Sequence, residues 1–108
     1  MPALTLTLTV ASLPYNLYDL ITAVAGYGQT KPSCRQLTIR TDPGNAGVLI
    51  HIGGQDVSNV NFGEELSLAA GGTTHKLWYS EQDNISLSDK WVWSDTGSKK
   101  INVDWWYA

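Results

Sequence analysis

The stretch Val48-Leu-Ile-His-Ile-Gly-Gly-Gln-Asp-Val57-Ser58 decides the fold. Val48, Ile50 and Ile52 alternate with Leu49 and His51, the period-two pattern of a strand with one face turned to a core. Gly53 and Gly54 then predict a turn at positions where the backbone takes φ > 0 and a Cβ would clash. A short polar hairpin arm follows, and Leu77-Trp78-Tyr79 supplies a further strand segment downstream. No catalytic side chain stands in obvious attendance. The stretch reads as the central hairpin of a binding or assembly domain.

Strand patterns recur on either side of it. Leu4, Leu6, Leu8 and Val10 alternate with Thr5, Thr7 and Thr9, which predicts an N-terminal edge strand with a threonine face outside. Such a face is wettable yet easily paired, so it also suits contact with a neighbouring subunit. The period then changes: Leu17, Leu20, Ile21 and Val24 form one helical stripe. Ser12 reads as the N-cap, Pro14 as a first-turn residue, and Gly26 with Gly28 as the stop of a helix of about three turns.

Residues 35–41 return to alternation with Leu37 and Ile39 inward, and Asp42-Pro43-Gly44-Asn45 carries strong turn chemistry. Residues 65–68 and 73–79 read as strands around a glycine turn at 69–72. Ile85 and Leu87 are expected to plug the end of the core. Residues 90–94 and 100–105 are the last two strands, with Gly97 in the turn of a tight hairpin between them. Strands at this spacing predict an all-β fold, a β-sandwich of jelly-roll-like form with one short N-terminal helix. The whole chain, 1–108, reads as a single domain.

The bulk properties exclude several function classes. The net charge is −3, and the basic residues are scattered, with Lys99-Lys100 the one adjacent pair. A nucleic-acid surface needs a basic patch or stripe, so no nucleic-acid partner is expected. No run approaches the ~20 apolar residues of a membrane helix, and the N-terminus lacks the pattern of a secretory leader. The expectation is a protein made in a cytosol and kept there until it joins something. Charged residues are 16% of the chain, which lowers the desolvation cost of being covered by a partner.

Catalytic and metal chemistry finds little support. His51 and His75 are the two histidines, and Cys34 is the single cysteine, so no disulfide closes within the chain. No ligand spacing joins the three, and both histidines read as ordinary strand positions. Glu64 and Glu65 are neighbours on a strand and point to opposite faces, unlike a glycosidase pair. Glu81, Asp83, Asn84 and Asp89 lack the spacing of the helix–loop–helix calcium motif and read as a solvated loop. Ser58, Ser86 and Ser94 have no nucleophile-elbow glycines around them. The expectation is no enzyme and no cofactor.

Tryptophan is the unusual component. There are five, and Trp91, Trp93, Trp105 and Trp106 lie near the C-terminus. Trp91 and Trp93 share a strand face, as core or as a surface pair. Trp105 and Trp106 are adjacent, so one can leave the core, and with Tyr107 an exposed Trp would anchor an interface or a sugar ring.

Residues 35–106 also resemble small virion proteins of tailed bacteriophages. The likeness lies in Leu37-Thr-Ile-Arg-Thr-Asp42, in Val48 to Ser58, in Phe62-Gly-Glu-Glu-Leu-Ser-Leu-Ala-Ala-Gly71, and in Ile101-Asn-Val-Asp-Trp105. The resemblance implies a sandwich or jelly-roll subunit that decorates or cements a capsid. The implied partners are the major capsid protein and further copies of the chain, as a trimer or dimer, on the virion surface. The tryptophan-rich end departs from that pattern, and no contact residue is carried over from it. The residues of this chain expected to make contacts are Thr5, Thr7 and Thr9, then Gln55, Asp56 and Asn59 of the loop 53–61, and Trp106 with Tyr107. The reading from another class is a carbohydrate- or receptor-binding module of a phage tail, with its platform at Trp78 and Tyr79 or at Trp91 and Trp93.

Overall fold

The computed structural model describes residues 3–45, 47–67 and 74–107. Within them the alternating segments pair into two antiparallel four-stranded sheets. Sheet I runs, in order across it, β1 (Ala3–Leu8), β10 (Lys99–Trp106), β4 (Gln36–Thr41) and β7 (His75–Tyr79). Sheet II runs β2 (Tyr15–Asn16), β9 (Trp91–Ser94), β5 (Ile50–Gly53) and β6 (Glu64–Leu66). A separate ribbon joins β3 (Ser33–Cys34) to β8 (Ile85–Ser86), and α1 (Leu17–Thr22) follows β2.

With the ribbon set aside, the strands pair from the outside of the chain inward. First meets last (β1 with β10), then β2 meets β9, β4 meets β7, and β5 meets β6. That nesting is the double Greek key of a jelly roll, so the expected all-β sandwich is the fold of this chain.

Period-two alternation fills the space between the sheets. Leu6, Leu8, Leu37, Ile39, Ile101, Val103 and Trp105 enter from sheet I, and Ile50, Ile52, Leu66 and Val92 from sheet II. Leu17 and Ile21 of α1, four residues apart on one helical face, join the same cluster with Cys34 and Leu87. Full burial of an aliphatic side chain contributes about 1.5–3 kcal/mol, so this cluster supplies the main driving force.

Several expectations give way to non-local geometry. The helix is six residues long, and its N-cap is Asn16, whose side chain accepts from the Asp19 N–H at 3.1 Å. Ser12 does not cap it. It takes φ 59 where the chain turns from sheet I to sheet II, and its N–H donates to the Ser94 carbonyl at 2.7 Å. The strand β1 ends at Leu8, so Thr9 and the exposed Val10 fall outside the alternation.

Neither Gly53 nor Gly54 is at positive φ; among described glycines that conformation belongs to Gly26 and Gly47. Gly53 is small for another reason, because a Cβ there would stand 3.2 Å from Val57 Cγ2. The expected hairpin of the last two strands is also absent, since β9 and β10 lie in different sheets. Residues 95–98 arch between the sheets. The expected turn at 69–72, with Leu68 and Thr73, lies outside the described residues.

The arch sets a tight constraint on Gly97. A Cβ there would sit 3.0 Å from the Thr9 carbonyl oxygen, while the Ser98 N–H donates to that same oxygen at 3.1 Å. Backbone cannot give way as a flexible side chain can. G97A is therefore expected to cost about 1–3 kcal/mol. Thermal unfolding checks it, with the melting temperature lowered by several degrees.

Cys34 is fully buried, with its thiol directed at the Ile85 carbonyl at 3.6 Å. Burial first, and the Asp83 carboxylate second, push its pKa from 9.0 up to about 11. A raised thiol pKa favours the neutral form in the fold. Its contribution is thus full below pH 9 and is lost as pH rises through about 11. Stability should fall across that window in wild type and fall less in C34A, and alkylation at pH 8 should proceed only in denaturant.

Candidate binding face

Antiparallel register decides which side chains share the outer face of sheet I. Three rows cross it: Thr5, Asn102, Arg40 and His75; then Ala3, Asp104, Thr38 and Leu77; then Trp106, Gln36 and Tyr79. Directly opposed residues project to the same side, so each row is a line of neighbours. Thr7 stands opposite Lys100 beyond the first row.

Polar contacts organise the middle of this face. Arg40 Nη1 donates to Asp104 Oδ2 at 2.8 Å, with the Asp104 side chain 9% exposed and that of Arg40 53% exposed. Thr5 Oγ1 donates to Asn102 Oδ1 at 2.8 Å, and Asn102 Nδ2 donates on to Asp42 Oδ1 at 3.2 Å. Around this polar floor stand three exposed large side chains: Leu77 at 48%, Tyr79 at 55% and Trp106 at 46%. A recess of about 440 Å³ opens among Gln36, Arg40, His75, Asp104 and Trp106.

The face gathers some of the expected contact residues and not others. Thr5, Thr7 and Trp106 share it. Thr9 lies just past β1 and is exposed. Tyr107 is half-buried: it packs against the core, its hydroxyl accepts from Trp105 Nε1 at 3.2 Å, and Lys31 Nζ lies 5.4 Å above its ring. It therefore anchors Trp105 and is not a partner of Trp106. Gln55, Asp56 and Asn59 are exposed, but on the β5–β6 loop of the opposite sheet.

The aromatic pairs proposed from sequence as sugar platforms do not form. Trp78 is half-buried and packs against the core with Lys90 Nζ 5.5 Å above its ring, whereas Tyr79 faces out. Trp93 is buried and Trp91 only half-exposed. The exposed aromatic pair is Trp106 with Tyr79, on strands far apart in sequence. Reading it in advance would have required knowing that β4 lies between β10 and β7.

Sequence reasoning also missed the role of His51. It is buried on the outer side of sheet II because the β5–β6 loop folds back over it. Its ring stacks on Phe62 at 3.8 Å and on Trp93 at 5.1 Å. Nδ1 lies 2.9 Å from the Ser58 carbonyl and Nε2 lies 3.0 Å from Glu65 Oε1. A carbonyl can only accept, so Nδ1 is the donor to Ser58, and Nε2 faces the Glu65 carboxyl. His51 thus ties the loop to the sheet through Nδ1 on Ser58 and the stack on Phe62, while Glu65 and Trp93 hold the ring from the neighbouring strands β6 and β9. His75 faces solvent on the other sheet, Cys34 lies in the β3–β8 ribbon, and the three do not converge. Among the described residues no cluster of three or more His, Cys, Asp or Glu is placed to hold a metal ion.

No protein-family model, no curated protein and no solved structure matches this chain. Among the described residues no helix is long and apolar enough to cross a membrane.

The His51 tie has a measurable consequence. Two ring contacts and two hydrogen bonds together are expected to contribute about 3 kcal/mol. H51A should lower stability in urea by that amount, and limited proteolysis should then cut first between residues 54 and 63.

Proposed function

We propose that this chain is a non-catalytic structural protein of a phage virion, which decorates the capsid surface and assembles with further copies of itself. The observation that carries the self-assembly in this reading is the state of the sheet edges. Sheet I ends at β1 and β7, and sheet II at β2 and β6. The edge β7 carries His75 and Lys76, β6 carries Glu64 and Glu65, and β2 is two residues long. Charge and brevity are the devices by which proteins blunt an open edge.

β1 has neither. Its six residues, Ala3–Leu8, contain no charge and no proline, and they pair with β10 without a bulge. Among the described residues the backbone groups along its outer side have no partner, and they form a template for another strand. A second β1, antiparallel about a two-fold axis, would extend sheet I into an eight-stranded sheet with Thr5 and Thr7 at the joint. Repetition of such weak contacts over a shell, together with contacts to the major capsid protein, would stabilise it without chemistry. The virion part of this reading rests on the resemblance read in the sequence of residues 35–106 alone. The jelly-roll topology agrees with it, as viral capsid subunits use that fold, although fold alone does not assign function.

Light scattering after size exclusion tests the edge. Wild type should run at twice the 11.8 kDa chain mass, and a T5K/T7K double variant should run as a folded monomer. Mixing the protein with expanded capsids of the phage that carries its gene tests the remainder. Ordered density on the shell is the expected image, and bare shells would sink the capsid assignment.

A further inference from the structure

We propose that the outer face of sheet I, between Trp106 and Tyr79, is a binding site for a pyranose oligosaccharide. The site is separate from the β1 edge, and the inference stands whether or not the chain decorates a capsid. Its core is the row Trp106, Gln36, Tyr79: Trp106 and Gln36 line the recess, and Tyr79, exposed beside it, carries the Arg35 guanidinium 5.9 Å from its ring centroid. Adjacent strands are about 4.8 Å apart, so the two aromatic positions lie about 10 Å from each other. Successive sugar rings of one chain can cover that distance, one ring over each aromatic.

The groups beside this row match the other half of a sugar. A pyranose ring has an apolar C–H face and a rim of hydroxyls. The C–H face stacks on Trp or Tyr, and the hydroxyls need planar groups that donate and accept. Gln36 offers both from one amide. Arg40 spends one nitrogen on Asp104, and its half-exposed guanidinium presents further donors in a fixed fork. Because Asp104 pins Arg40 from beneath, that fork is held in place before any ligand arrives, which lowers the entropy lost on binding. His75 closes the far side of the recess. The recess, about 440 Å³, lies within the range of small-ligand sites.

A protein partner fits the same face less well. The centre of a protein–protein interface is depleted in charge, and here an ion pair occupies the centre with aromatics around it. On the outer side of sheet II a recess of about 550 Å³ opens beside Ser58, Asn59 and Trp93, but Trp93 and His51 are buried and the exposed Phe62 is already stacked on His51.

The test is a printed array of bacterial surface, plant and animal oligosaccharides. Titration of the bound oligosaccharides in solution then follows, read by tryptophan fluorescence and by calorimetry. Wild type should bind pyranose oligomers and prefer two or more rings to one. W106A and Y79A should each weaken binding on the order of tenfold or more, and Q36A severalfold. W106Y keeps a ring and should recover most of the affinity. V60A, in the β5–β6 loop of the other sheet, should bind as wild type. Trp106 is half exposed, so W106A should retain the fold, with circular dichroism and thermal unfolding as the check. Failure of every oligosaccharide on the array to bind overturns the proposal, as does wild-type affinity in folded W106A. Loss of self-association in W106A without any sugar binding would overturn it too, and would make the face a protein contact.

Discussion

The register of β10 is the constraint on which the rest of the molecule depends. This strand is paired on both sides, with β1 and with β4, over six residues each. Ile101, Val103 and Trp105 point into the core, while Asn102, Asp104 and Trp106 point out. A slip by one residue would exchange the two sets, placing Asp104 between the sheets and Trp105 in water. Trp105 fixes the register from inside, with its indole N–H on the Tyr107 hydroxyl and its ring edge-on to Tyr27 at 6.1 Å. Arg40 fixes it from outside through Asp104. The core and the candidate face are therefore two sides of one choice.

That division explains which features were legible in the sequence. Alternation is written locally, so the strands containing Leu6, Leu37, Ile50 and Ile101 could be placed from the chain alone, and so could the opposite fates of neighbouring Trp105 and Trp106. Strand partners are not written locally. The segment 95–98 has the glycine that a hairpin wants, yet Asp95 stays bound to Leu49, the residue before β5, and the chain then crosses to the other sheet. The helix start was misplaced for a similar reason. Ser12 has the right chemistry for a cap, but its backbone is committed to Ser94 across the sandwich, and Asn16 caps in its place.

His51 shows the same limit at a single side chain. Its alternation correctly predicts the outer side of a strand, where a histidine ordinarily meets water. The loop that covers it comes back from downstream, and the stacking Phe62 and hydrogen-bonding Ser58 are visible only after that return. Thr5, Thr7, Trp106 and Tyr79 of the candidate face are legible in the sequence, Tyr79 with the wrong companion, Trp78. Gln36 and Arg40 are individually unremarkable residues that acquire meaning from the order β10, β4, β7.

The covering of one sheet and the openness of the other make two modes of contact compatible. Edge pairing uses backbone groups in the plane of the sheet, whereas ligand binding uses side chains perpendicular to it. β1 and the Trp106–Tyr79 row belong to one sheet but address different directions. In an antiparallel β1–β1 dimer the two-fold axis stands perpendicular to the joined sheet, so both outer faces turn the same way. Two oligosaccharide sites would then lie on one continuous surface, held at a fixed separation by the strands between them. A polysaccharide with repeating units meets such a surface as a multivalent ligand, and the second contact forms at an effective concentration set by that geometry. Edge assembly would thus convert a shallow, individually weak recess into a surface that retains a glycan-coated partner.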